Sequence, residues 1–147
     1  MATTHFEDFT NGQVIELGSV TLTEEAIIDF ATQFDPQSFH IDPVAAVGSS
    51  FGGLIASGWH TGSLWMRLYA DTVLDGADSR GSPGMEELRW WAPVRPGDTL
   101  TGTITVIETT PSSKDPTRGT ILTEGAMTNQ NGVVVMSMHS RGLFGRR

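Results

Sequence analysis

The sequence contains no cysteine. That absence removes thiol nucleophiles, disulfides and thiolate metal sites together. Positive charge is scarce as well, with nine Lys and Arg against seventeen Asp and Glu, a net charge of −8 at neutral pH. The average field therefore repels phosphate backbones and anionic bilayers, which argues against nucleic acid and membrane surfaces as partners; a few local arginines can still hold the phosphate of a small anionic molecule. Long apolar runs are missing too. The longest strictly aliphatic stretch is Val133–Val135, far short of the roughly 20 residues a spanning helix needs. Residues 1–12 carry Glu7 and Asp8 and lack the basic start and apolar segment of a signal peptide, so the expected location is cytoplasmic. The four histidines are scattered and no His-Glu-x-x-His spacing occurs, so no metal site is expected.

What is present suits one ordinary domain. With 147 residues and 38% hydrophobic content, the chain can enclose a core without covalent staples, and residues 1–147 are expected to form a single domain. Val14–Thr23 reads as an opening strand or strand pair. Thr23 before Glu24 and Glu25 marks a helix start, because the hydroxyl caps free amides and the carboxylates suit the positive end of the helix dipole. Ile27, Phe30, Ala31 and Phe34 then recur on one face, which predicts a buried stripe ending where Pro36 stops the helix and leaves Asp35 on the turn. Gly48–Gly53 reads as a loop. A second helix is expected from near Ile55, with Leu64, Trp65, Leu68 and Tyr69 giving it a broad apolar surface, and Gly58 and Gly62 allowing close backbone approach.

Beyond Met85 the pattern changes to strands. Leu100, Ile104 and Val106 alternate with Thr101, Thr103 and Thr105, the period of a half-buried strand. Pro93–Asp98 is a turn, and Asn129–Gly132 joins Ile121–Thr128 to Val133–His139 in a hairpin that should place Val134, Met136 and Met138 on one face. Several antiparallel strands with one apolar helix imply an α+β hot-dog domain, a curved sheet wrapped round a central helix. Its open sheet edges predict pairing into a homodimer or higher homo-oligomer.

Two segments carry the candidate chemistry. Phe34–Asp42 sets a carboxylate, Asp35, and an imidazole, His40, five residues apart across a proline turn. Beside a helix C-terminus and phenylalanine rings, the charged form of Asp35 should be disfavoured, which would make it a stronger base than a solvated carboxylate. Together the two could hold a water. The bland alternative is a surface turn in which Asp35 caps local amides and His40 only packs. Further on, Ser57 and Gly58 open the apolar helix, whose free first amides could support a carbonyl oxygen turning into an enolate. Here the bland alternative is that Gly58 is a glycine packed against the sheet.

In this order the segments resemble the MaoC-like dehydratase family, whose best-known members are the (R)-specific enoyl-CoA hydratases. The resemblance runs from about Phe9 to the C-terminus. It rests on Asp35, Pro36, His40 and Asp42, on Ile55-Ala56-Ser57-Gly58, and on Pro93-Val94-Arg95-Pro96-Gly97-Asp98. It implies hydration of a trans-2-enoyl-CoA, or dehydration of a 3-hydroxyacyl-CoA, without a cofactor. Asp35 and His40 would bind and activate the water, and the Gly58 amide would be the oxyanion donor. Ser57, Phe39 and Ser63 are candidate substrate contacts, Ser63 standing one turn before the position, near Met66, where some hydratases carry a serine. The proline is shifted forward from the family's usual Asn-Pro.

Other residues read as structural. His60 is expected to be half-exposed or at an interface, and His5 and His139 lack a carboxylate partner in sequence. Arg89 and Arg95 could meet coenzyme A phosphates. Trp59, Trp65, Trp90 and Trp91 are expected in the core or at a dimer contact, the alternative for one of them being the lining of an acyl tunnel. Two alternatives stay open: a non-catalytic acyl-CoA or partner-binding module, and a thioesterase, which would need an acidic residue that the central helix does not offer between Ile55 and Ala70.

Overall fold

A computed structural model describes residues 1–147. After a short 3-10 turn, Phe6–Asp8, the chain forms β1 (Val14–Thr21), α1 (Glu24–Phe34), the short helices α2 (Ser38–Ile41) and α3 (Pro43–Val47), α4 (Gly58–Tyr69) and then four strands. These are β2 (Gly84–Trp90), β3 (Thr99–Pro111), β4 (Arg118–Thr128) and β5 (Val134–Gly145). All pairings are antiparallel, and the five strands form one sheet in the order β1-β3-β4-β5-β2. Helix α4 packs against β1, β3, β4 and β5, so the sheet wraps round it in the hot-dog fold. No helix is long and apolar enough to cross a membrane.

The alternation in β3 does what its period demands. Leu100, Ile104 and Val106 are fully buried, while the threonines take the other face, where Thr99 and Thr101 bond sideways to Thr21 and Ser19 of β1 at 2.7 Å. The helix–sheet contact is closest at Trp65, which is buried in the core and stacks on Tyr69 at 5.0 Å. Its indole lies over Gly125 of β4, where an added Cβ would fall 2.6 and 2.7 Å from ring carbons Cζ2 and Cε2. Glycine there is what lets the helix settle into the sheet. The same burial pushes the Tyr69 hydroxyl up to about 12.

Three expectations need correction. Helix α4 starts at Gly58, not near Ile55, because the amides of Ile55 and Ala56 are taken by the carbonyls of Phe39 and Val94 at 3.0 and 2.8 Å, which keeps both residues out of the helix. Phe34 lies outside the buried stripe, 68% exposed, with its ring against Phe30. It falls in the last turn of α1, beyond the core that covers Ile27 and Ala31. Val134 is exposed because an irregularity in the register between Met127 and Thr128 turns both Val135 and Met136 inward. Of the four tryptophans only Trp65 is buried; Trp59, Trp90 and Trp91 are exposed in the single chain.

The tight seat of Trp65 sets a testable pair. Gly125→Ala should cost roughly 1–3 kcal/mol through overpacking, and Trp65→Ala roughly 3–5 kcal/mol through the cavity it leaves, both read from urea unfolding. Wild-type stability in Gly125→Ala would mean that the indole has room to retreat.

Candidate functional site

The site starts at the end of α1. Thr23 caps the helix by accepting from the Ala26 amide at 3.1 Å, and after eleven helical residues the chain leaves the helix at Asp35, whose φ of −155° and ψ of 67° lie away from helical values. The one-turn helix α2 then swings His40 back, and its ring Nδ1 donates to the Ile55 carbonyl at 2.7 Å. That carbonyl only accepts, so a singly protonated His40 carries its proton on Nδ1 and leaves Nε2 bare. Nε2 faces Asp35 Oδ2 at 3.2 Å, with His40 buried and the Asp35 side chain 18% exposed.

Two donors hold the carboxylate. The Ser57 hydroxyl, fully buried, donates to Asp35 Oδ2 at 2.7 Å, and the Gln37 side-chain amide donates to Oδ1 at 2.7 Å. Burial by itself raises the pKa of Asp35, but the bonds from Ser57 and Gln37 and the nearby His40 together outweigh it and hold the group below the ordinary carboxylate range. The expectation of a strengthened base is therefore overturned: the donors compensate for the solvent that burial removes. Asp35 stays an anion, and a bare Nε2 beside it makes two acceptors face each other. Such a pair is satisfied by a proton held between them or by a small molecule that donates to both.

Ser57 also caps α4, accepting from the Trp59 amide at 3.3 Å. Gly58 follows as the first helical residue. Its amide is among those that helical bonding leaves free, and it has no acceptor within the chain. Asp35, His40 and Gly58 line one cavity of about 550 Å³ whose other walls are largely apolar, including Phe39, Phe51, Trp59, Trp90 and Trp91. Phe39 packs edge-on against the His40 ring at 4.6 Å and Phe51 packs on Phe39 at 5.1 Å.

The remaining candidates lie elsewhere. Ser57 spends its hydroxyl on Asp35, and Ser63 sits on the exposed flank of α4, donating to the Trp59 carbonyl at 2.7 Å away from the cavity. His60 is buried rather than half-exposed. It stacks on Phe30 at 4.6 Å, its Nδ1 has no partner, and burial pushes its pKa down. His139 does have carboxylate partners, Glu124 at 3.0 Å and Glu87 at 3.6 Å, brought beside it by strand pairing. Arg89 lies over the Trp91 ring, and Arg95 donates to the Phe51 carbonyl, tying the glycine loop to the Pro93–Asp98 turn. No group of three or more His, Asp or Glu side chains is arranged to hold a metal ion. Sequence reasoning gave Gln37 no role and Trp90 no bond to the helix; the signal for Gln37 is a side-chain amide two residues after the acid, and for Trp90 an aromatic pair closing a strand.

Comparison with known proteins agrees with this architecture. A family profile described as MaoC like domain matches residues 8–130. The chain is 31% identical over 109 residues to the uncharacterized protein YdeM of Bacillus subtilis, covering 74% of this chain and 77% of that one. Its structure aligns with the MaoC-like dehydratase from Rhodospirillum rubrum at a TM-score of 0.88 and 37% identity, over 99% of both chains. It also aligns with the R-hydratase PhaJ1 of Pseudomonas aeruginosa at a TM-score of 0.77 and 26% identity, over 97% of this chain and 86% of that one. A matched profile that takes in Asp35, His40 and Gly58, on a sheet and helix shared with these structures, places the chain in the MaoC-like domain family.

Proposed function

We propose that the protein reversibly hydrates the double bond of a trans-2-enoyl-CoA, using Asp35, His40 and the Gly58 amide and no cofactor. The observation that carries this reading is the pair of facing acceptors, Asp35 Oδ2 and His40 Nε2 at 3.2 Å, in the cavity that the unpaired Gly58 amide also lines. A water donating to both is oriented with its lone pairs free for attack. Its oxygen bonds to carbon 3, the carbon–carbon double bond breaks, and the electron pair moves to the carbonyl oxygen, which the Gly58 amide supports. The proton released by the water goes to Nε2, the ring nitrogen left bare by the Nδ1 bond to the Ile55 carbonyl, and the imidazolium is stabilised by the adjacent Asp35 carboxylate. Return of the proton to carbon 2 gives the 3-hydroxyacyl thioester and resets the pair. The largely apolar walls suit an acyl chain.

A homodimer belongs to the same reading. Strand β2 has a free edge, and Met85, Trp90 and Trp91 near it and Trp59 on α4 remain exposed in the single chain. Contiguous apolar surface around an open edge favours a second copy. Light scattering at micromolar concentration should give twice the monomer mass, and a monomer would contradict this.

Crotonyl-CoA is the direct test of chemistry. Its conjugated absorbance should decay with wild-type protein without release of free thiol, whereas thiol release would indicate hydrolysis instead. Asp35→Asn and His40→Gln should each lower kcat by a factor on the order of 10²–10⁴ with the fold retained, and full turnover in either would refute the assignment.

The carboxylate makes a separate prediction. Because its pKa is lowered on folding, Asp35 stabilises the fold above its unfolded value, about 3.9, and that contribution is lost as pH falls through the lower folded value. Ser57→Ala removes a donor and should move the Asp35 pKa upward in a carbon-13 carboxyl titration. An unmoved titration would mean that the hydroxyl does not set the charge.

A further inference from the structure

Glycine at the first position of α4 solves one problem and creates another. It leaves the Gly58 amide accessible, yet glycine is the residue with the greatest backbone freedom, so an amide meant to meet one developing charge would wander unless held. The amide and carbonyl of Gly58 belong to two peptide planes that meet at its Cα, and both must be fixed to aim the amide. Ser57 secures the first side: its hydroxyl is bonded to Asp35 and to the Trp59 amide, and its carbonyl accepts from the His60 and Thr61 amides.

Trp90 secures the second. Its indole N–H donates to the Gly58 carbonyl at 2.9 Å, and the ring covers the Cα so closely that a Cβ at 58 would lie 2.6 and 2.7 Å from Cδ2 and Nε1. Trp59 meets the same indole edge-on at 5.2 Å. The clamp is anchored in the sheet. Trp90 pairs with Met136 across β2 and β5, and the next residue, Trp91, bonds through its amide to the Val135 carbonyl and through its indole to the Ser137 hydroxyl, each at 2.8 Å. An edge-strand side chain thus reaches over the cavity and holds the first turn of the central helix.

We infer that Trp90 is a positioning residue for the reaction proposed above: its indole fixes the Gly58 carbonyl and Cα so that the Gly58 amide stays aimed at the thioester oxygen. The inference rests on that functional reading for its consequence in catalysis, but the clamp itself is observable without substrate. It also explains the glycine at 58 independently of any ligand, because the indole occupies the space of a side chain.

Trp90→Phe keeps an aromatic ring and deletes the N–H. Amide hydrogen exchange followed by NMR should show Trp59, His60 and Thr61, whose amides are bonded to Ser57, exchanging about tenfold faster, while Leu68 deeper in α4 keeps its wild-type protection, which separates local loosening from partial unfolding. With crotonyl-CoA, kcat should fall about tenfold with KM changed by less than about twofold, as misplacement of a group acting in the transition state demands. Unchanged exchange at these three amides would overturn the clamp, and faster exchange with unchanged kcat would overturn its role in positioning. Wild-type protein inactive on enoyl thioesters would instead sink the hydratase reading and leave the exchange result to decide the clamp.

Discussion

One hydroxyl joins the two halves of the site. Ser57 lies 22 residues beyond Asp35, and its Oγ, buried out of reach of water, both donates to that carboxylate and caps the helix that Gly58 opens. That bond offsets the burial that would otherwise raise the Asp35 pKa, and the first turn of α4 would lose its cap without the same atom. The link is mutual: the carboxylate orients the hydroxyl, and the oriented hydroxyl fixes the helix end. The distance between the acid and the Gly58 amide is therefore set by bonded geometry rather than by loose packing.

The imidazole is controlled in a similar way from the backbone. Ile55 and Ala56 stay out of the helix between α3 and α4 because their amides are bound by the Phe39 and Val94 carbonyls, and the Ile55 carbonyl is bonded by His40 Nδ1. A main-chain atom selects the ring tautomer. The bare nitrogen is left on the side where Asp35 already has an anionic oxygen, so the unmet need for a donor is concentrated at one point of the cavity. Elsewhere in the site, buried polar atoms are largely bonded to one another.

Much of this was legible in the residues. The half-buried period of β3, the cap at Thr23 and the stop at Pro36 depend on neighbours in the chain, and they appear in the structure where the pattern placed them. Asp35, His40 and Gly58 were legible as candidates because residue type and order carry that signal. The charge state of Asp35 was not, since it depends on a hydroxyl 22 positions away and on Gln37, whose direction along a turn no periodicity encodes. The inward turn of both Val135 and Met136 was hidden for a like reason: a register irregularity depends on what the opposite strand does. His60 looked like a surface residue because nothing in its local spacing reports the Phe30 ring that α1 lays across it.

The buried stack of His60 on Phe30 has a consequence for the electrostatics of α4. This imidazole sits in the same first helical turn as the Gly58 amide, and burial lowers its pKa, disfavouring the charged form. The positive potential at that end of the helix then comes from peptide dipoles, which do not titrate. The attraction felt by an incoming oxygen at Gly58 therefore leans on fixed backbone geometry more than on the charge of the neighbouring ring.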